Sequence, residues 1–177
     1  VDASAYNKFA VQKGFSGAMS EPLSTRMLLM NTTDAITGDV NVRKAIQHAT
    51  DKETISKAIF SGIESPADLL LSKNTPYANI GLHPYAFDKA KAELLLEASG
   101  WLKVDGKKYR EKEGKELAIS LHYNSNNVVD KTIAEFMQGE LAKIGLNLTI
   151  VGEEEQANRD RMKAGKFQIV FNISWGM

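Results

Sequence analysis

Few side chains among the 177 residues could do chemistry, and they are scattered. Three histidines, His48, His83 and His122, are able in principle to ligate a metal or move a proton. No pair stands at i, i+4 or at the short-loop spacing that builds a metal site, so the spacing predicts isolated imidazoles, packed or solvated. Glu153-Glu154-Glu155 could serve metal binding or acid–base work. The same triplet opens a predicted helix, where carboxylates complement the macrodipole by about 0.3–1 kcal/mol each, and it reads chiefly as a helix start. There is no cysteine, which removes disulfides, thiolate metal sites and thiol nucleophiles together. No phosphate loop, dinucleotide fingerprint, nucleophile elbow or metalloprotease motif occurs. The residues assign no catalytic group, no metal ligand and no cofactor. An enzyme assembled from dispersed residues stays open as an alternative of a different class.

Trp175 stands apart. A tryptophan just beyond a predicted strand, beside Gly176, presents a broad amphipathic face on which a ligand could stack. The residues alone leave two readings open, a ligand contact and a half-buried packing residue.

The elements that must position these groups alternate in type. Asp2 to Gly14 reads as a short helix with Asp2 or Ser4 as its cap, and the apolar run Met27-Leu28-Leu29-Met30 reads as a buried strand. Asp39 caps a helix with Val42, Ala45, Ile46 and Ala49 on one face. Asp51 caps the next, with Ile55, Ala58 and Ile59 inward, and the two predict a compact helix pair. Ser65 to Pro84 is an irregular connection. Asp88 opens a helix with Leu94, Leu95 and Ala98 inward and Gly100 at its end. Asp105-Gly106 is the strongest hairpin signal, joining 102–104 to 107–110, and Glu113-Gly114 gives a second turn. From residue 117 the order is strand, helix, strand, helix, strand, which predicts an α/β layer structure. The chain stops at Trp175-Gly176-Met177, where a binding loop is expected at the carboxyl end of a strand, and this supports truncation.

Composition narrows the class. Lysine plus arginine equals aspartate plus glutamate at 22 each, so the net charge is zero and no basic excess marks a nucleic-acid binder. No apolar run approaches the ~18 residues of a membrane span. The length suits one domain, or one domain with part of a second.

Asp39-Val40-Asn41-Val42-Arg43-Lys44-Ala45-Ile46-Gln47-His48-Ala49-Thr50-Asp51-Lys52 resembles the helix pair of the peptide and nickel ABC-transporter binding proteins. Pro84-Tyr85-Ala86-Phe87-Asp88, Lys91-Ala92, Leu95-Leu96 and Gly100-Trp101 resemble the segment that follows in that family. Thr75-Pro76-Tyr77-Ala78-Asn79, Gly152-Glu153-Glu154-Glu155 and Ser174-Trp175-Gly176 look most like its nickel branch. The resemblance implies a two-lobed periplasmic binding protein that closes on its ligand and hands it to an ABC permease in the membrane. On that pattern residues 1–26 are the end of the N-terminal lobe and the crossover near Ser20–Arg26. Residues 27–177 are an incomplete C-terminal lobe, a mixed sheet flanked by helices. The implied ligand is nickel as a small-molecule chelate, with an oligopeptide or dipeptide as the alternative within the family. The implied protein is a monomer, periplasmic or, in a Gram-positive source, a cell-surface lipoprotein. Trp175 matches a tryptophan that lines the cleft in nickel-type members, which favours the ligand-contact reading. Arg43 and Asp51 match positions read as structural.

Overall fold

A computed structural model describes residues 3–18, 24–71, 75–78 and 80–175. In chain order the elements are α1 (Ala3–Ala10), β1 (Ser24–Met30), α2 (Val40–Ala49), α3 (Lys52–Phe60), α4 (Lys89–Ala98), β2 (Glu111–Lys112), β3 (Lys115–Glu116), β4 (Ala118–Asn124), α5 (Val128–Lys143), β5 (Asn147–Glu153), α6 (Glu155–Lys163) and β6 (Ile169–Trp175). The cap expected at Asp2 or at the side chain of Ser4, and residues 20–23 of the expected crossover, lie outside the described residues. Contacts divide the chain into two compact units. One takes Val1–Thr25, Lys52–His83 and Ile173–Met177, the other Arg26–Asp51 and Pro84–Asn172.

In the first unit α3 buries little, with Ser56 its one buried residue. Ala58, expected inward, is exposed. The segment after α3 is tied back by Ser56 Oγ donating to Glu64 O at 2.5 Å and by an ion pair between Lys52 and Asp68 at 2.7 Å.

The second unit is a sheet with helices. Strand order is β1-β6-β4-β5. β4 is parallel to β5, from Ala118 opposite Asn147 to Asn124 opposite Glu153, and parallel to β6 through Leu121 and His122. Asn31, just past β1, donates its N–H to Gln168 O, just before β6, at 2.9 Å. The end of β1 therefore meets the start of β6, β1 runs the opposite way, and the sheet is mixed, as expected. β4 to β5 is a step one way and β5 to β6 a step back across β4. Right-handed crossovers then put α5 and α6 on opposite faces. Ile119, Leu121 and Leu148 share the face that α5 covers with Ile133, Met137 and Leu141, all buried.

α2 buries Val42, Ala45, Ile46 and Ala49 as the spacing predicts. Its main partner is α4, while α3 belongs to the first unit, so the expected compact helix pair gives way to α2 on α4. Asp88 fixes how α4 sits: its N–H donates to His48 O at 2.8 Å and its carboxylate caps Lys91 N at 2.9 Å. That rotation buries Ala92, Leu96 and Ser99 and leaves Leu94 65% exposed. A run of three leucines does not declare which one faces in, and the expected face of Leu94 and Ala98 is corrected accordingly.

The hairpin also differs from expectation. Glu113 (φ 52) and Gly114 (φ 75) form the turn between β2 and β3, the sign pair of a primed two-residue turn. Around Asp105-Gly106 only a single bridge forms, Leu102 to Glu111. Arg110, the last residue of the expected hairpin, is tied to other elements. Its backbone N–H donates to Gly145 O at 2.8 Å, and its side chain is fully buried, giving Nε to Ile144 O at 2.8 Å and Nη1 to Trp101 O and Glu97 Oε1, both at 3.1 Å. Gly145 accommodates this packing: it sits at φ 82, and a Cβ there would lie 2.7 Å from Arg110 Cγ.

Candidate functional site

Ligands of open α/β sheets gather at the carboxyl ends of parallel strands. Here that edge of β4 reads Asn124-Ser125-Asn126-Asn127. Asn124 Oδ1 accepts the N–H of Asn126 at 3.0 Å and Asn124 O that of Asn127 at 2.8 Å, closing a turn. Asn127 then caps α5 by accepting the N–H of Asp130 at 3.0 Å. The turn is tied to the neighbouring strand, because Ser125 donates its N–H to Glu153 O at 2.7 Å.

Glu153 is the last residue of β5. Arg161, on α6, donates Nε to both carboxylate oxygens, at 2.9 and 2.8 Å, and Nη1 to Lys166 O at 3.0 Å. His122 Nδ1 lies 3.1 Å from Glu153 Oε2. A carboxylate only accepts, so Nδ1 carries the hydrogen and the neutral ring keeps its lone pair on Nε2. The parallel register explains the meeting: His122 lies opposite Val151 and Asn124 opposite Glu153, so His122 and Glu153 share one face, two positions apart. The Arg161 hydrogen bonds hold the Glu153 carboxyl below its ordinary pKa, against a smaller effect of burial. Burial first, then the Arg161 charge, lower the His122 pKa, and Glu153 opposes them. At neutral pH the cluster is therefore a neutral imidazole beside a closed ion pair.

On the other face, Gly152 admits the Tyr123 ring: a Cβ at Gly152 would come within 2.9 Å of Tyr123 Oη. Asp130, nearly buried, pairs with Arg26. Burial raises its pKa and Arg26 opposes that shift. At the opposite, amino end of the sheet, Asp34 Oδ1 accepts from Ile36 N at 2.9 Å, Thr37 N at 3.0 Å and Gln168 Nε2 at 3.2 Å, while Gln168 Oε1 accepts from Ser120 N at 2.8 Å. Burial pushes the Asp34 pKa up, yet these bonds together bring it below the ordinary value. Every polar group there serves the fold.

The histidines separate into three cases. His48 is buried, its Nδ1 2.7 Å from Ala86 O and its ring edge-on to Tyr85 at 5.3 Å, a packing residue. His83 is exposed. His122 is not isolated as its spacing suggested. Glu154 and Glu155 are the helix start that was expected, with Glu154 accepting from Gln156 N at 2.8 Å and Ala157 N at 3.3 Å. Glu153 lies instead in the strand and joins the cluster. Only the register of β4 on β5 could have revealed that pairing. Trp175 is the last residue of β6, and its side chain, with Gly176 and Met177, lies outside the described residues. Among the described residues no three His, Asp or Glu side chains gather as a metal site requires, and no helix is long and apolar enough to cross a membrane. A cleft of about 410 Å³ between residues 103–110 and the end of α5 is lined by Lys103, Lys107, Lys108 and Lys143. Three of these are already paired, to Glu93, Glu111 and Glu140, so it is no cationic socket.

From residue 1 to 177 the chain matches the model of a family described as bacterial extracellular solute-binding proteins, family 5 Middle. It is 34% identical over 171 residues to the nickel-binding periplasmic protein of Escherichia coli (strain K12), covering 97% of this chain and 33% of that one. Among solved structures, NikA from Brucella suis in complex with Fe(III)-EDTA superposes with a TM-score of 0.93 at 40% identity, over 99% of this chain and 35% of that chain. The oligopeptide-binding protein AppA from Bacillus subtilis in complex with a nonapeptide gives 0.86 at 25% identity, over 100% and 36%. The chain thus spans about a third of the length of these relatives.

Proposed function

The chain belongs to family 5 of the bacterial extracellular solute-binding proteins, and from that premise we propose that it is a piece of a protein that carries nickel, as a small-molecule chelate, to an ABC importer. The family is one of binding proteins, not of enzymes. Its members work outside the cytoplasm. The observation that carries the nickel reading is the 34% identity, over 97% of the chain, to the nickel-binding periplasmic protein of Escherichia coli. On this reading residues 1–26 close the N-terminal lobe and 27–177 form part of the C-terminal lobe. The first compact unit passes to the second between Thr25 and Arg26, but it also takes in Lys52–His83 and Ile173–Met177, so the two units do not coincide with these lobes.

Trp175 is the ligand contact on this reading. It ends β6, a strand parallel to β4, and so stands at the end of a strand where ligands gather. The partners are the chelate and a membrane permease, the protein is a monomer, and a lipid anchor holds it where the source has no periplasm. The test is calorimetry on the full-length protein with nickel and L-histidine, before and after Trp175→Ala. The substitution weakens binding several-fold, since a stacked aromatic face contributes about 0.5–1.5 kcal/mol beyond its buried area. Unchanged affinity removes Trp175 from the site.

A second reading rests on the TM-score of 0.86 to AppA: an oligopeptide binder whose cleft grips peptide backbone. Heat with a nonapeptide and none with nickel and histidine selects it.

A further inference from the structure

We propose that His122, Glu153 and Arg161 form a positioning cluster for the ligand-bearing edge, and that it couples ligand affinity of the full-length protein to protonation of His122. The inference rests on the solute-binding reading. Glu153 makes three ties at once. Its carboxylate holds Arg161 of α6 at 2.9 and 2.8 Å and accepts His122 Nδ1–H at 3.1 Å, and its carbonyl accepts Ser125 N–H at 2.7 Å. β4, β5, α6 and the turn into α5 thus meet on one residue, at the end of the sheet where a ligand is held.

The groups that face His122 are few. β5 presents Glu153 and α6 presents Arg161. β6 places the apolar Val170 beside it, and Ser120 and Asn124, its neighbours on the same face of β4, carry no charge. With a neutral ring the charges of the cluster cancel. A proton on Nε2 leaves the cluster with one positive charge, and the imidazolium then competes with Arg161 for Glu153 Oε2. His122 is only 7% exposed, so water screens this competition poorly. The competition loosens Glu153, and with it the Ser125 tie. Affinity falls as the ring takes up its proton.

The test compares full-length wild type, His122→Asn and Glu153→Gln between about pH 5 and 8, the range in which histidine titrates. Asparagine keeps a donor near Nδ1 and does not titrate. Calorimetry with nickel and L-histidine gives the ratio of Kd values, wild type over His122→Asn, at each pH, which cancels the titration of the probe itself. That ratio rises several-fold toward acid. In the same proteins without ligand, amide exchange at Ser125 speeds up in acid beyond its intrinsic pH dependence for wild type, stays slow for His122→Asn, and is fast throughout for Glu153→Gln. A flat ratio, or Ser125 protection that ignores both substitutions, overturns the proposal. Ser125 exchange that tracks His122 in a protein giving no heat with the probe rejects the nickel reading and leaves the coupling within the edge standing.

Discussion

His122 sits between an acceptor and a cation, and its thermodynamic sign follows from which prevails. Burial and Arg161 outweigh Glu153, so the folded protein binds this proton less readily than the unfolded chain, whose imidazole titrates near 6.5. Wherever the unfolded state holds more protons, stability rises with pH. The contribution of His122 is therefore fully present above pH 6.5 and is lost as the pH falls through 6.5 toward the lower folded value. The lowered carboxyl of Glu153 acts in the same direction at more acid pH. Thermal unfolding of wild type should weaken from neutral to mildly acid conditions more steeply than that of His122→Asn, and parallel curves would show that His122 carries no such linkage. Gly152 makes a second residue-scale prediction. Its missing Cβ leaves room for Tyr123, only 7% exposed, so Gly152→Ala should cost about 1–3 kcal/mol by overpacking. Part of that cost should return in the Tyr123→Phe background, which denaturant unfolding of the four proteins would measure. Additive effects would place the clash elsewhere.

Among the elements, α4, the chain after it and the end of α5 meet on one buried cation. Arg110 binds the end of α4 through Glu97, the chain after it through Trp101 O, and the end of α5 through Ile144 O. Arg110→Ala leaves the Trp101 and Ile144 carbonyls unpaired in the interior and should cost about 1–3 kcal/mol for each, read as a lower denaturant midpoint. A loss near that of a surface arginine would mean water replaces the guanidinium. Much of this level was legible beforehand. Asp39 and Asp88 cap their helices as expected, Glu154 stands at the expected helix start, and the strand–helix alternation from residue 117 is the observed order. What escaped the reading depends on contacts distant in sequence. The register of β4 on β5 joined His122 to Glu153, the Asp105-Gly106 hairpin stopped at one bridge, and the Asp88–His48 bond set which leucine of α4 faces in. Local periodicity carries none of these, because each is a choice among equivalent local patterns. Trp175 was marked by its place after a strand and by the family likeness, not by any contact within the chain.

For the whole molecule, the sheet, the Asp34 lock and the Arg110 bracket describe a scaffold with a prepared edge. That edge displays Asn124 to Asn127 and ends beside a closed ion pair, with no free carboxylate in the cluster for a bare metal ion. A cleft closed by two lobes needs both, so residues 1–177 alone should bind nickel chelates far more weakly than the full-length protein. The most direct measurement is calorimetric titration of nickel with L-histidine into the full-length protein and into residues 1–177 side by side. Saturable binding by the full-length protein and little or none by residues 1–177 is the expected result. Full-length protein that gives heat with peptides and none with the nickel chelate would contradict it, and so would binding by residues 1–177 as tight as that of the whole.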